Sequence, residues 1–347
     1  MKVRLALALL CLAGLIGAAE STEPATSPVL TPPEHRRGAD QTFLTFPEWY
    51  LVHSPAEYAA YLQDHLPSRF PLFAHIGQFW QSYAAVAREI RDAPFNGGYH
   101  LMISVIGTST TVEYGLKGLY EHTIGRIGEA FAPSRGKLRE DALAARFAQE
   151  YVDFIRVDPW YLFDFESRLA ELWHEPPLSG PGLVRRWERL YALTTEYAIK
   201  AGYARLIKLA THSIYDAPLP TTAVAFEPAL DDAMANRIGL EPLAASPPGV
   251  TLGLLPRYDG FTQSMRRAAA QPSRLTEIAG NRGEILVSLI TPSAWSQDTV
   301  ALRPLFEQPI LTTPGRQRRV VAVPVRSLVD LMRLEGGGVV VEHVYDY

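Results

Sequence analysis

Residues 101–121 read LMISVIGTSTTVEYGLKGLYE, and this stretch decides how the chain can fold. Its first half contains no charge at all, whereas Glu113, Lys117 and Glu121 follow at steps of four residues. On a helix, such steps place the three side chains on one face, where they can form a ladder of ion pairs. We therefore expect a helix over 99–126 whose uncharged half is buried on all sides.

The charged end of this helix is the main candidate site. If the uncharged half carries it into the interior, Glu113 and Glu121 need partners. One carboxylate could then stay protonated as a general acid while the other remains ionised. With His122 they form a group of catalytic candidates, and Lys117 and Arg126 are candidates for binding. The interpretation that we favour over this site is a solvated stripe on a core helix, worth about 0.3 kcal/mol per ion pair.

A third interpretation places Gly97 to Val112 inside a membrane. The stretch is shorter than the roughly 20 residues that a membrane-spanning helix needs. Thr108 to Thr111 also lower its hydropathy. We therefore favour a buried helix of a water-soluble domain.

The N-terminus has the pattern of an export signal. Lys2 and Arg4 precede an uninterrupted run of apolar and small residues from Leu5 to Ala19. The small residues at its end fit cleavage after Ala19. We expect residues 1–19 to be a signal peptide and the protein to be exported and periplasmic. The alternative is an uncleaved helix that associates with the inner membrane through the N-terminus.

Composition narrows the function classes. The chain has 347 residues, 47% of them hydrophobic, and a formal net charge of −4, so nucleic acid is a poor partner. Its one cysteine, Cys11, lies in the predicted leader, which leaves no thiol for disulfides, catalysis or metal binding in the exported part. A Glu-x-x-His motif at Glu171–His174 has no second copy, as a di-iron bundle would need. We therefore predict no metal and no cofactor.

Proline-rich breaks divide the chain. Residues 20–42 are rich in Pro, Ser and Thr and are predicted to be an exposed tether. We expect a helical domain over 43–215, a linker over 216–249 and an α+β domain over 250–347. The fold prediction is therefore an all-α N-terminal domain followed by a ferredoxin-like α+β C-terminal domain.

Local signals set the expected elements. Ser54, followed by Pro55 and Glu57, predicts a helix start. Apolar periodicity predicts further helices, the longest over 183–212. Residues 274–279 are expected to pair with 284–290 across a glycine turn. The basic cluster at 316–319 is interpreted as a solvated loop before a strand.

Aromatic side chains supply further binding candidates. Trp80 lies on a predicted helix and Trp160 in a cluster of aromatic residues at 159–163. Such clusters can form the floor of a ligand groove, although most belong to a core and its rim. Nucleophile motifs such as Gly-x-Ser-x-Gly are absent from the sequence.

Five motifs are shared with a known group of proteins: Phe46 to Tyr50, Val112 to Glu121, Thr123 to Arg126, Glu277 to Asn281 and Glu342 to Tyr347. On these motifs the chain resembles an uncharacterised family of bacterial envelope proteins with an N-terminal signal or anchor, over residues 42–347. The resemblance implies a bacterial envelope setting and two halves that belong together. It implies no activity and no site residues.

The sequence therefore favours a non-enzymatic envelope protein that binds a partner protein or a small molecule. The motivation is a large, well-packed chain without a nucleophile or metal signature. The alternative is a hydrolase or lyase that uses Glu113, Glu121 and His122 as acid/base groups.

Overall fold

The computed structural model describes residues 28–38, 41–132, 137–176, 179–211, 220–243, 246–270, 272–297 and 299–346. Residues 31–347 cluster into one compact unit, which includes both predicted halves. The predicted signal peptide or anchor, residues 1–19, lies outside the described residues. The division into two domains stays a prediction.

Helices occupy the first half of the described chain. They are α1 (Gln41–Asp64), α2 (Leu72–Glu89), α3 (Gly97–Tyr120), α4 (Arg126–Glu129), α5 (Arg139–Ile155), α6 (Phe165–Leu172) and α7 (Leu183–Thr211). A π-helical turn, Glu121–Gly125, joins α3 to α4. This arrangement is consistent with the predicted all-α N-terminal part, and α7 has nearly the predicted bounds.

Strands and short helices follow. The strands are β1 (Thr221–Phe226), β2 (Glu241–Pro242), β3 (Thr251–Pro256), β4 (Leu275–Ile278), β5 (Glu284–Pro292), β6 (Arg303–Pro309), β7 (Arg316–Pro324) and β8 (Val340–Val344). The helices among them are α8 (Asp232–Ile238), α9 (Asp259–Ala268) and α10 (Leu328–Met332). The described chain is therefore a mixed α/β protein, with helices first and strands afterwards.

The strands form two antiparallel sheets. The first has the order β2-β3-β1-β4 and the second the order β6-β7-β5-β8. β4 pairs with β1, and β5 pairs with β7 and β8, so the expected pairing of 274–279 with 284–290 was wrong. Because the strands divide between two sheets, the ferredoxin-like arrangement is not confirmed.

The predicted linker contains regular structure. Residues 216–249 include β1, α8 and β2, and β1 is an inner strand of the first sheet. Five of its six residues are buried, so it reads as a continuous apolar run without alternation. Pro220 and Pro228 lie on either side of β1 and do not interrupt it. Prolines at strand ends are compatible with a sheet, and this explains the difference.

The helix start predicted at Ser54 was also wrong. α1 begins at Gln41 and passes through Pro47 and Pro55. The Ser54 hydroxyl does not cap the helix, since it is hydrogen-bonded to His75 Nδ1 and Tyr114 OH, both at 3.0 Å. The Ser54 hydroxyl, which was expected to cap a helix, instead bonds side chains of α2 and α3.

The predicted tether is packed against the C-terminal half at Thr31, although several of the residues that follow are exposed. Thr31 is fully buried, and its backbone N–H and its hydroxyl both donate to Glu277 Oε2 at 2.9 Å. The basic cluster expected in a solvated loop lies in β7, where Arg318 is only 1% exposed. Polar partners at long sequence separation account for both differences.

The second sheet separates two cores. Along β5, Ile285, Val287 and Leu289 join the apolar core shared by the two sheets and α8 to α10. Leu286 points the other way, into a core with Phe46 of α1 and other helical residues. This alternation follows from the two-residue period of a strand. The sheet therefore connects the helices to the C-terminal half.

Thr42 fastens the start of α1 to this sheet. Its hydroxyl donates to the carbonyl of Tyr345 at 2.6 Å and accepts from the N–H of Leu286 at 3.0 Å.

We expect Thr42→Val to lower the free energy of unfolding by about 1–3 kcal/mol, because it leaves buried backbone groups unpaired. Thr45→Val removes only a bond within the helix, to Thr42 O, and should cost less. Denaturant unfolding measures both, and equal losses would contradict this role.

Candidate functional site

Charged side chains join α3 to α7. Lys200 Nζ lies 3.0 Å from Glu113 Oε1, and Lys117 Nζ lies 3.0 Å from Glu196 Oε2. Positions that ascend along α3 meet positions that descend along α7, so the two helices are antiparallel. Glu113, Lys117 and Glu121 share one face as predicted, but their ion-pair partners lie on α7 and not on α3 itself.

A buried network continues this contact. Arg189 Nη2 lies 2.9 Å from Glu121 Oε1 and 2.7 Å from Glu188 Oε1. Arg185 Nη1 lies 2.7 Å from Glu188 Oε2, and its Nη2 lies 3.0 Å from Asp141 Oδ1 of α5. Arg185 and Arg189 are 0% and 1% exposed. Charges this deeply buried are stable only when they are paired.

Two glycines make room for the carboxylates. A Cβ at Gly125 would lie 2.5 Å from Glu121 Oε2, and one at Gly128 would lie 2.9 Å from Glu188 Oε2. The glycine pair that the sequence shows near the end of this helix thus allows close approach of buried acids. The π-helical turn that contains Glu121 and Gly125 is of a kind frequent at functional sites.

The network shifts pKa values in opposite directions. Burial would raise the pKa of Glu196, but Lys117 and Lys200 outweigh it and hold that pKa below its usual range. Burial raises the pKa of Glu121, while Arg189 and Lys117 oppose the shift. Each acid is thus matched to a cation of the protein itself, as in a structural network.

The opposite faces of the same helices are apolar and exposed. On α3 and α4, six side chains are exposed by 56–67%: Leu101, Val105, Val112, Leu116, Leu119 and Ile127. On α7, Tyr191, Ile199, Leu206 and Leu209 are exposed by 62–76%. We call these ten residues the outer face. Its two stripes meet where the rings of Tyr120 and Tyr191 lie 6.3 Å apart.

This polarity is the reverse of a normal surface helix. The expectation that the uncharged half of α3 is buried on all sides was wrong, since Leu101 and Val105 are 67% and 56% exposed. Within 97–127 only Glu113 and Arg126 are both charged and exposed, and Glu113 pairs sideways with Lys200. A helix at a water interface usually buries its apolar side and exposes its charges.

The three catalytic candidates do not converge. Glu113 is 43% exposed beside Lys200, Glu121 is 3% exposed beside Arg189, and the His122 ring stacks on Phe73 at 5.6 Å. Eight residues separate the two glutamates, about 12 Å along a helix. Their catalytic role stays a prediction.

The binding candidates also lie apart. Lys117 belongs to the network, and Arg126 is exposed at the start of α4. Trp80 Nε1 donates to Thr111 Oγ1 at 2.9 Å, between α2 and α3. Trp160 lies 5.4 Å from the ring of Tyr203, near α7. Arg126 is exposed beside Ile127 of the outer face, whereas the Lys117 side chain turns from Leu116 towards α7.

Sequence reasoning missed a second buried cluster, at the junction of the helices and the second sheet. We call it the junction cluster: His53, Glu57, His75, Arg318, Glu342 and Tyr345. Arg318 Nη2 lies 2.9 Å from Glu57 Oε1 on α1 and 2.7 Å from Glu342 Oε1 on β8. His53 Nε2 is 3.0 Å from Tyr345 OH. Local sequence patterns do not mark these residues, because their partners are remote in sequence. Arg318 and Glu57 are more than 200 positions apart, and so are Tyr345 and His53.

The junction cluster keeps its histidines neutral. Burial lowers the pKa of His53 to about 4, although Glu342 opposes the shift. Burial and Arg318 lower the pKa of His75 to about 3. Burial would raise the pKa of Glu342, but Arg318 outweighs it and lowers the value to about 2. The cluster therefore holds a charged pair beside neutral rings.

In the part of the chain that the structure describes, no group of three or more His, Cys, Asp or Glu residues is arranged to hold a metal ion. No described helix is both long and apolar enough to cross a membrane. Two cavities of about 340 and 520 Å³ border α6 and α7, and neither is lined by Glu113, Glu121 or His122.

Comparisons with protein-family models, curated proteins and solved structures found no match for the chain. The resemblance to bacterial envelope proteins therefore stays a prediction. Functional inference rests on the arrangement of the residues themselves.

The buried network leads to a stability prediction. Arg189→Met should lower the free energy of unfolding by about 3–5 kcal/mol, because it leaves the buried carboxylates of Glu121 and Glu188 without their shared cation. Arg205→Met is the matched control on the same helix. It removes a pair with Glu166 in which both side chains are more than half exposed, and should cost at most about 1 kcal/mol. Similar losses in denaturant unfolding would show that the network is not a buried one.

The neutral histidines lead to a pH prediction. Below the ordinary pKa of 6.5 the unfolded chain takes up protons at His53 and His75, whereas the folded protein does so only near 4 and 3. The free energy of unfolding should therefore fall as the pH falls from about 6.5 to about 4. His53→Gln should reduce this slope by about 1.4 kcal/mol per pH unit.

Unfolding curves at several pH values measure this slope. The difference between the two proteins well above pH 6.5 gives the cost of the substitution that does not depend on protonation. Parallel pH profiles for His53→Gln and the unsubstituted protein would show that His53 is protonated alike in both states.

Proposed function

We propose that the protein is a non-enzymatic binding protein of the bacterial cell envelope and that the outer face is its docking surface. The observation that carries the proposal is the reversed polarity of α3 and α7. Lys117 of α3 is paired with Glu196 of α7 inside the protein, whereas Leu116 and Leu206 on the outer sides of these helices are 65% and 62% exposed. Large contiguous apolar patches on a folded surface generally mark interaction sites.

The extent of the outer face supports docking over chance exposure. From Leu101 to Ile127 the stripe on α3 and α4 is about 39 Å long by the rise of a helix. Single exposed apolar residues are common and need no explanation. Here they recur on every turn or two of α3 and are continued on α7, which is typical of a surface that another body covers.

The envelope setting comes from the sequence. The apolar leader up to Ala19 predicts export to the periplasm, with an uncleaved inner-membrane anchor as the alternative. The C-terminal half enters the proposal only as support for the helices. Its ferredoxin-like character, which would suit docking, remains a prediction.

The alternative function, a hydrolase or lyase, takes second place. It requires Glu113, Glu121 and His122 to act on one bound group, which general acid/base chemistry needs within hydrogen-bond reach. Each of the three has a partner within the protein, and they point to different neighbours. A docking role needs no such convergence.

Cysteine protection tests the docking surface. We expect Leu116→Cys in a Cys11→Ser full chain to react slowly with a maleimide in isolated native envelopes and fast after purification into dilute solution. The reason is that the docked partner covers position 116. Val340→Cys is the control, since Val340 is an exposed apolar residue of β8, 46% exposed and outside the outer face. Equal reactivity of position 116 in both preparations would contradict the proposed function.

A further inference from the structure

We propose that the partner of the outer face is a lipid surface: α3, α4 and α7 lie along the bilayer with their apolar stripes in the boundary between headgroups and acyl chains. This inference rests on the proposed docking function and names its partner. Helices with one wide apolar face bind bilayers in this orientation, buried by about 5–10 Å.

The part of the outer face that includes Leu101, Val105 and Val112 carries no charge. From Ala93 to Val112 the sequence has no Asp, Glu, Lys or Arg. On the exposed side of α7 the charged residue is Arg205, and it pairs with Glu166 of α6. Charges are costly in contact with acyl chains, whereas water and most protein partners tolerate them. This part of the outer face therefore suits acyl chains, the environment in which a charge is most costly.

Three hydroxyl groups on α3 and the turn after it are bonded back to their own helix. Thr123 is exposed, yet its Oγ1 donates to the carbonyl of Leu119 at 2.7 Å. Ser104 Oγ donates to His100 O at 2.8 Å, and Thr111 Oγ1 donates to Gly107 O at 2.7 Å. A hydroxyl bonded back to its own helix needs no donor or acceptor from outside. Lipid chains offer none, so Ser104, Thr111 and Thr123 can lie against lipid without an unsatisfied hydroxyl, whereas Thr108 and Ser109 of α3 are exposed to it.

Exposed aromatic residues lie near the ends of the helices that form the outer face. Phe95 precedes α3 and Phe131 follows α4, at 81% and 54% exposed. Trp187 and Tyr191 lie near the N-terminal end of α7, at 42% and 62% exposed. Trp and Tyr side chains have one polar end and favour the headgroup level of a bilayer, so Trp187 and Tyr191 are suited to that level, while Phe95 and Phe131 add apolar area. The predicted leader supplies an independent reason for the chain to reach a membrane.

A second copy of the chain is the main competing partner. It would also cover apolar residues, and helical pairs often dimerise through such faces. However, a second protein surface tolerates charge and would not require the uncharged stretch from Ala93 to Val112, whereas acyl chains do. We therefore commit to lipid and make the second copy an outcome of the test.

A fluorescent probe at position 116 separates these partners. The full chain with Cys11→Ser and Leu116→Cys carries a nitrobenzoxadiazole label, and Val340→Cys carries it as the matched control. Vesicles of phosphatidylethanolamine and phosphatidylglycerol are added, with or without lipids brominated on their acyl chains. We expect a blue shift and loss of emission by brominated lipid at 116 and neither at 340, because only the outer face enters the acyl region.

Each other result has a defined meaning. If the chain floats with the vesicles but the label at 116 keeps its emission in water, the leader alone binds lipid and the inference is wrong. If the label at 116 is blue-shifted without vesicles, in proportion to protein concentration, and brominated lipid has no effect, a second copy covers the face. The lipid inference then fails while the docking function stands. A label that is protected neither here nor in native envelopes overturns both.

Discussion

The pairing of charges between α3 and α7 is the constraint on which the helical half depends. Moving a carboxylate or a guanidinium out of water costs several kcal/mol, so Glu121 and Arg189 can be buried only together. That requirement fixes the rotation of both helices, because the face with Glu113, Lys117 and Glu121 must turn towards α7. A helix rotated in this way cannot also turn its other apolar side inward. The apolar exterior is therefore a direct consequence of the polar interior.

The junction cluster extends the same logic to the second sheet. Arg318 is shared between Glu57 on α1 and Glu342 on β8, so separating helix from sheet would leave a buried charge without its partner. From Glu57 the polar contacts continue through His75 and Ser54 to Tyr114 of α3. The orientation of α3, and with it the outer face, is thus coupled through side chains to the sheet. Because the rings of His53 and His75 stay neutral, Arg318 is the cation that faces Glu57 and Glu342 in the cluster.

Part of this arrangement follows from the sequence. The four-residue steps correctly placed Glu113, Lys117 and Glu121 on one face, and apolar periodicity gave α7 almost its full length. Periodicity could not reveal that the ion-pair partners of this face lie on α7, about 70 to 90 residues away in sequence. An uncharged half-helix also does not indicate whether it lies in the core or on an apolar surface, because the same residues suit both places. Arg318 looked like part of a surface cluster because its acidic partners are remote in sequence.

The reversed polarity also determines how docking and stability are related. The internal ion pairs use only residues of the chain itself, so they can form before any partner is present. Each outer residue that is more than half exposed then retains apolar area that is favourable to cover, at about 25 cal/mol per Å². A partner that binds only the folded helices must stabilise them by mass action. The interior network therefore specifies the shape of the outer face. α3 and α7 leave apolar area exposed when they turn their charges inward, and the surface that covers the outer face buries that area.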